Sequence, residues 1–149
     1  DPSAGVKCWI HDNRLYVEYE TGGPAIEIDA LGPIVARDLP GSSEHEIRAD
    51  NARPESISFL KRNGLPRIRP CEKGKGSVED GISHIKSYDE VIIHPRCERT
   101  QEEFLLYSYK VDKLSGDILP VLVDANNHWI DSIRYALEPV MKRRKSTFG

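Results

Sequence analysis

A leading hairpin, followed by strands that alternate with helices, is the feature that most limits what this chain can fold into. Ala4 to Ile10 and Arg14 to Tyr19 read as two strands, and Asp12-Asn13 between them is turn chemistry for a tight reversal. Thr21-Gly22-Gly23-Pro24 then breaks the chain. Ile26 to Asp38 has helical apolar spacing in Ile28, Leu31 and Val35, with Gly32-Pro33 expected to shorten or bend the helix. Glu46 to Ala49 reads as a short strand ending at Asp50. Pro54 to Asn63 reads as a helix, with proline in its first turn and Gly64 where a left-handed cap is wanted. Arg67 to Arg69 reads as a strand leading into the loop Lys73-Gly74-Lys75-Gly76. Ser77 is expected to cap a helix lined by Val78, Ile82 and Ile85. Val91 to His94 reads as a strand, and Thr100-Gln101-Glu102-Glu103 as a capping box opening a helix. Asp112 to Asn127 reads mostly as loop. The last helix starts near Asn127, with Ile130, Ile133 and Leu137 facing inward. This order predicts an α/β sheet covered on both faces, whose active sites gather at the carboxyl ends of strands.

At 149 residues the chain can bury one sizeable core. No apolar run approaches the roughly 18 residues of a membrane span, so no membrane partner is expected, and no secretory signal opens the sequence. Cys8, Cys71 and Cys97 have no metal-type spacing, and an odd number argues against a disulfide framework. The opening Asp1-Pro2 carries no methionine, and the chain is expected to be a piece of a longer protein. A net charge of −3 does not by itself point to nucleic acid, but basic residues cluster at Lys61, Arg62, Arg67, Arg69, Lys73 and Lys75. A second cluster, Lys142 to Lys145, reads as a solvated, flexible tail over 142–149, leaving 1–141 as the folded domain.

Three places can carry chemistry. Asp50, at the end of a strand, can offer carboxylate oxygens to a hard divalent cation or can simply form an Asx turn. His128 and Asp131 are three apart, so one helix face brings both toward a single metal; an Asp131–Arg134 ion pair is the competing reading. Lys73-Gly74-Lys75-Gly76-Ser77 lacks the order of a Walker A loop. Its glycines and lysines before a helix N-terminus nevertheless suit contact with a nucleic-acid backbone, against the alternative of a flexible solvated turn. His11, His45, His84 and His94 show no ligand spacing.

Four segments change the weight of these readings. Asp1-Pro2-Ser3-Ala4, then Ala49 to Ile57, then Lys73 to Val78, and finally Asn127 to Tyr135 occur in that order with fitting intervals. The series resembles the C-terminal nuclease domain of tailed-bacteriophage large terminase subunits, over nearly the whole chain. That resemblance implies a ribonuclease H-like fold, with a central mixed sheet and helices on both faces. It further implies an endonuclease that cuts concatemeric double-stranded viral DNA during packaging, with two Mg²⁺ or Mn²⁺ ions. Asp50 matches the second acid of the metal cluster, Asp131 the last, and His128 a histidine that assists the site. All three are expected at the metal centre, with Lys73, Lys75 and Ser77 on DNA.

The first acid of the family lies on a strand just before the Asp-Pro-Ser-Ala segment. A chain opening at that segment is expected to lack the first strand and one ligand, to bind metal weakly, and to be inactive as it stands. The expected partners are an ATPase domain of the same polypeptide, the portal protein and the small terminase subunit, in the host cytoplasm. The alternative is a DNA-binding or packaging-motor docking module that keeps the fold without the chemistry. A resolvase or integrase of the same fold would need other motif contexts around the acids.

Overall fold

The computed structural model describes residues 2–74, 76–107, 109–111, 118–122 and 127–148, with backbone alone for 109–111, 118–122 and 145–148. Lys75, one of the residues expected on DNA, lies outside the described set. Strands β1 (Ser3–His11) and β2 (Arg14–Gly23) form the expected hairpin, with Asp12 and Asn13 at positive φ in its turn. Such φ values suit Asp and Asn, whose short polar side chains tolerate the left-handed region.

β2 runs beyond the predicted Tyr19 and changes face on the way. Lys7 pairs with Tyr19 and Cys8 with Val17, so Glu18 is an extra residue on β2, a bulge. One inserted residue reverses the alternation that follows it. Leu15 and Val17 therefore enter one core, whereas Thr21, beyond the bulge, bonds to Asp38 on the opposite face. Glu20 is thereby turned toward the helix at Glu98–Leu106.

The remaining elements are α1 (Ile28–Asp38), β3 (Ile47–Ala49), α2 (Pro54–Arg62), β4 (Ile68–Pro70), α3 (Ser77–Lys86), β5 (Glu90–Ile93), α4 (Glu98–Leu106), β6 (Tyr109–Val111), β7 (Ile118–Leu122) and α5 (His128–Phe148). β5 joins β2 in parallel, which makes a mixed sheet of order β1-β2-β5; β3 and β4 pair in parallel, and β6 and β7 antiparallel. Two cores flank the sheets. One joins Leu15 and Val17 to Ile82 and Ile85 of α3 and to Ile130, Ile133 and Leu137 of α5. The other joins Val35 and Leu39 of α1, Ile57 and Leu60 of α2, Leu65 and Ile68. Helices thus cover both faces, as the pattern predicts. No helix among the described residues is long and apolar enough to cross a membrane.

Several local expectations need correction. α1 begins at Ile28 and runs unbroken through Pro33. Gly32 beside that proline is buried, and a Cβ there would meet the Asn63 carbonyl oxygen at 2.7 Å, so close packing on the chain after α2 accounts for the glycine. Ser77 is the first residue of α3; the cap position is Gly76, at φ 77°. Val78 is exposed, because only Ile82 and Ile85 reach the core. The stretch read as loop contains β7, whose Pro120 is tolerated because both strands of a two-stranded ribbon are edges. The basic run 142–145 continues α5, where Lys142 pairs with Glu72 and the Arg144 guanidinium lies 5.4 Å from the Tyr88 ring centroid.

The capping box is not formed. α4 starts at Glu98, and its N-terminus is held from a distance: Glu20 accepts from Arg99 N at 3.1 Å, Thr100 N at 2.9 Å and Thr100 Oγ1 at 2.7 Å. Glu103 is buried and turns to α5, where its Oε1 accepts from Trp129 N at 2.8 Å and Ile130 N at 2.9 Å. Each carboxylate meets the positive end of a helix dipole and satisfies N–H groups that have no partner within the helix. Burial pushes the Glu103 carboxyl above its ordinary range, against the opposing pull of the Ile130, Trp129 and His128 N–H groups.

Candidate metal centre

Parallel pairing of β3 with β4 puts the residues that follow each strand at the same end. Ala49 pairs with Pro70, and Cys71 N donates to Ala49 O at 2.8 Å, which carries the backbone register one step past the strands. Asp50 and Lys73 therefore leave the sheet side by side. Lys73 Nζ donates to Asp50 Oδ1 at 2.6 Å. The loop is fixed just before Lys73, where the Glu138 carboxylate accepts from Glu72 N at 2.9 and 2.8 Å.

Asp131 sits one turn into α5, and that turn is pinned on three sides. Glu103 holds the Trp129 and Ile130 amides, Trp129 Nε1 donates to Thr21 O at 3.0 Å, and Ser132 Oγ donates to Ala4 O at 3.1 Å. Asp131 Oδ1 accepts from Arg134 Nη2 at 2.7 Å, and Arg134 Nη1 reaches Ser77 O at 3.4 Å. The Arg134 stem is packed on Gly81, where a Cβ would meet its Cδ at 2.6 Å.

The two acids share one environment. Tyr135 carries its phenol above the ordinary range through burial first, and then through the negative charges of both Asp131 and Asp50. Lys73 Nζ and Arg134 Cζ lie 5.8 and 5.4 Å from the Tyr135 ring centroid. At Asp50, partial burial favours the neutral acid. Lys73, the Ala52 amide and the charge of Arg134 outweigh it and hold the carboxyl below the usual range. Lys73 is correspondingly raised by its bond to Asp50, against the effect of burial.

The structure brings Lys73 with Asp50 and Arg134 with Asp131 to the Tyr135 ring, and no bond among the described residues joins His128 to either aspartate. The His128 backbone N–H is directed to Glu103, and its carbonyl accepts from Ser132 Oγ. Among the described bonds Ser77 meets the centre through its carbonyl, which accepts from Arg134. Both bland readings are also realised, since Ala52 N donates to Asp50 Oδ1 at 3.0 Å in an Asx turn and Asp131 pairs with Arg134. Tyr135 and Arg134 are members of the centre that the spacing rules did not single out for chemistry, although Arg134 was legible as an ion-pair partner.

The donor chemistry suits a divalent cation in part. Two hard carboxylates converge, and each described hydrogen bond to them falls on Oδ1, leaving both Oδ2 atoms open. Among the described residues, no three of His, Cys, Asp and Glu gather closely enough to hold a metal.

A groove runs beside this centre. Among the described residues β1 pairs as a strand only with β2, and β3 only with β4. Between the free edges lies a space of about 480 Å³ lined by Val6 to Ile10, Ile47 and Arg48. It is followed by one of about 210 Å³ lined by Ser3 to Val6, Ile47 to Asp50 and Tyr135. The start of β1 thus faces the end of β3, so the two edges run antiparallel across the groove.

The comparisons with known proteins agree with this architecture. A family model described as the terminase RNase H-like domain matches residues 7–139. The large terminase subunit of Bacillus phage SPP1 is 36% identical over 148 residues, covering 96% of this chain and 34% of that protein. The chain therefore spans about a third of that relative's length. The crystal structure of the large terminase nuclease domain of bacteriophage SPP1 with bound Mn superposes with a TM-score of 0.85 at 34% identity, over 95% of this chain and 80% of that one. The matched residues, the mixed sheet with helices on both faces and the two acids at one sheet end have a single explanation: this chain belongs to the terminase RNase H-like family, as a large-subunit nuclease domain.

Proposed function

We propose that the chain is a divalent-metal-dependent endonuclease that cuts concatemeric double-stranded viral DNA during genome packaging. The observation that carries this reading is the convergence of Asp50 and Asp131, each with an open oxygen, at one end of the sheets. Asp50 and Asp131 would hold Mg²⁺ or Mn²⁺ through these oxygens. Two such ions, held there, would supply activation of water and stabilisation of the leaving oxygen in phosphodiester hydrolysis. Asp50 would help hold both ions and Asp131 the second.

The third acid belongs in the groove between β1 and β3. A strand laid there, antiparallel to β1 and parallel to β3, ends beside Asp50, which is where the family resemblance puts its first acid. His128 has no described bond to either aspartate and takes an assisting role only if its side chain turns toward them. Lys73, with Lys75 and Ser77 in the same segment, lies beside the acids and suits phosphate oxygens of the DNA. The remaining partners in this reading are an ATPase domain in the same polypeptide, the portal protein and the small terminase subunit.

Nicking of supercoiled plasmid tests the reading. With a strand carrying the family's first acid supplied in the groove, cleavage is expected with Mn²⁺, absent with EDTA, and lost in both Asp50→Asn and Asp131→Asn. Cleavage by either variant at the parent rate would overturn the assignment. A second reading, a DNA-binding or docking module without chemistry, is favoured by the pairing of both acids with cations and by the lack of a three-ligand group among the described residues. DNA retention in EDTA, with no cleavage in any metal, would select it.

A further inference from the structure

The two aspartates have different kinds of counter-ion. Arg134 on Asp131 has a side chain only 7% exposed, is bonded to Ser77 O and is packed on Gly81. Lys73 on Asp50 has a side chain 35% exposed, and Asp50 itself is 48% exposed. The loop is clamped at Glu72, and Arg134 reaches the carbonyl of Ser77. Between them lies Gly74, around which a Cβ would meet nothing within 4 Å. Lys73 can leave its partner without disturbing either clamp; Arg134 cannot.

Charge gives that freedom a consequence. Two aspartates with one lysine and one arginine sum to zero. A divalent cation added to that set leaves an excess of two positive charges in a half-buried site, and departure of Lys73 halves it. Lys73 Nζ also bonds the same carboxylate that a cation would use.

We propose that Lys73 is an exchangeable counter-ion that competes with the divalent cation for Asp50, whereas Arg134 remains fixed. The proposal rests on the metal reading given above. Lys73 lowers the affinity of the centre for metal in the absence of DNA, and once displaced it is free for a phosphate oxygen.

Mn²⁺ titration followed by the electron paramagnetic resonance signal of the free ion reads this directly, on the parent, Lys73→Met, Lys73→Arg and Asp50→Asn. Lys73→Met should bind Mn²⁺ roughly two- to fivefold more tightly than the parent, the range expected when a partly exposed ion pair no longer has to be broken. Lys73→Arg should stay within about twofold, because the charge is retained. Thermal unfolding in EDTA confirms that each variant is folded. Asp50-dependent Mn²⁺ binding that is unchanged or weakened in Lys73→Met would overturn the proposal and leave the metal reading intact. Binding that survives Asp50→Asn at full strength would overturn the metal reading itself.

Discussion

Two pairs of carboxylates show how this fold uses acids. Glu20 and Glu103 reach across the structure to the first turns of α4 and α5, and their partners are mainly backbone N–H groups. Asp50 and Asp131 are held chiefly by side-chain cations, on one oxygen each, and remain partly exposed. The first pair positions helices. The second pair keeps donor capacity in reserve. The lesson is that the kind of partner, backbone N–H groups at a helix start against side-chain cations, separates a structural acid from one available for chemistry.

The sharpest way to break that comparison is to remove Glu103. Glu103→Ala strips the acceptor from the His128, Trp129 and Ile130 amides at the start of α5 and should cost about 3 kcal/mol or more in urea unfolding, at about 1–3 kcal/mol for each unsatisfied group. Glu103→Gln keeps an acceptor and should cost less. A neutral Glu103→Ala would remove the distinction. Glu20→Ala should follow at about 1–2 kcal/mol, the range for loss of a helix cap. Asp131→Asn takes the charge from the partner of a buried guanidinium and should cost about 1.5 kcal/mol, the lower value for a charged hydrogen bond.

Asp50→Asn should have the smallest effect, within about 1 kcal/mol, because solvent screens its exposed pair with Lys73. The pH dependence has a fixed sign. The folded carboxyl of Asp50 lies below its unfolded value, so the contribution of the pair is present above the ordinary carboxylate range. It is lost as pH falls through the lowered folded value. Asp50→Asn should flatten that acid limb slightly, as read by thermal unfolding across pH.

Local signals made a good part of this legible. Asp12-Asn13 marks the hairpin turn, Pro54 and Gly64 bracket α2, and Ile130, Ile133 and Leu137 share the buried face of α5. The Asp131–Arg134 pair follows from helical spacing. What escaped was set by contacts distant in sequence. Thr100 and Glu103 have the order of a capping box, yet Glu20 takes the role because the Glu18 bulge turns it toward α4, and no local pattern announces a bulge. Asp50 and Lys73 are 23 residues apart and meet only through the parallel register of β3 and β4. Neither aspartate was persuasive from its neighbours in the sequence. The order of four motifs supplied the family, and the register supplied the geometry.

The central claim is that Asp50 and Asp131 serve one divalent centre. A double-mutant cycle on Mn²⁺ affinity tests it most directly, using the parent, Asp50→Asn, Asp131→Asn and the double variant. If the acids share the centre, each single substitution should weaken binding by roughly tenfold or more, and the double should lose much less than the sum of the two free-energy changes, as coupled positions do. Additive losses, or a single variant that binds Mn²⁺ as the parent does, would contradict a shared centre.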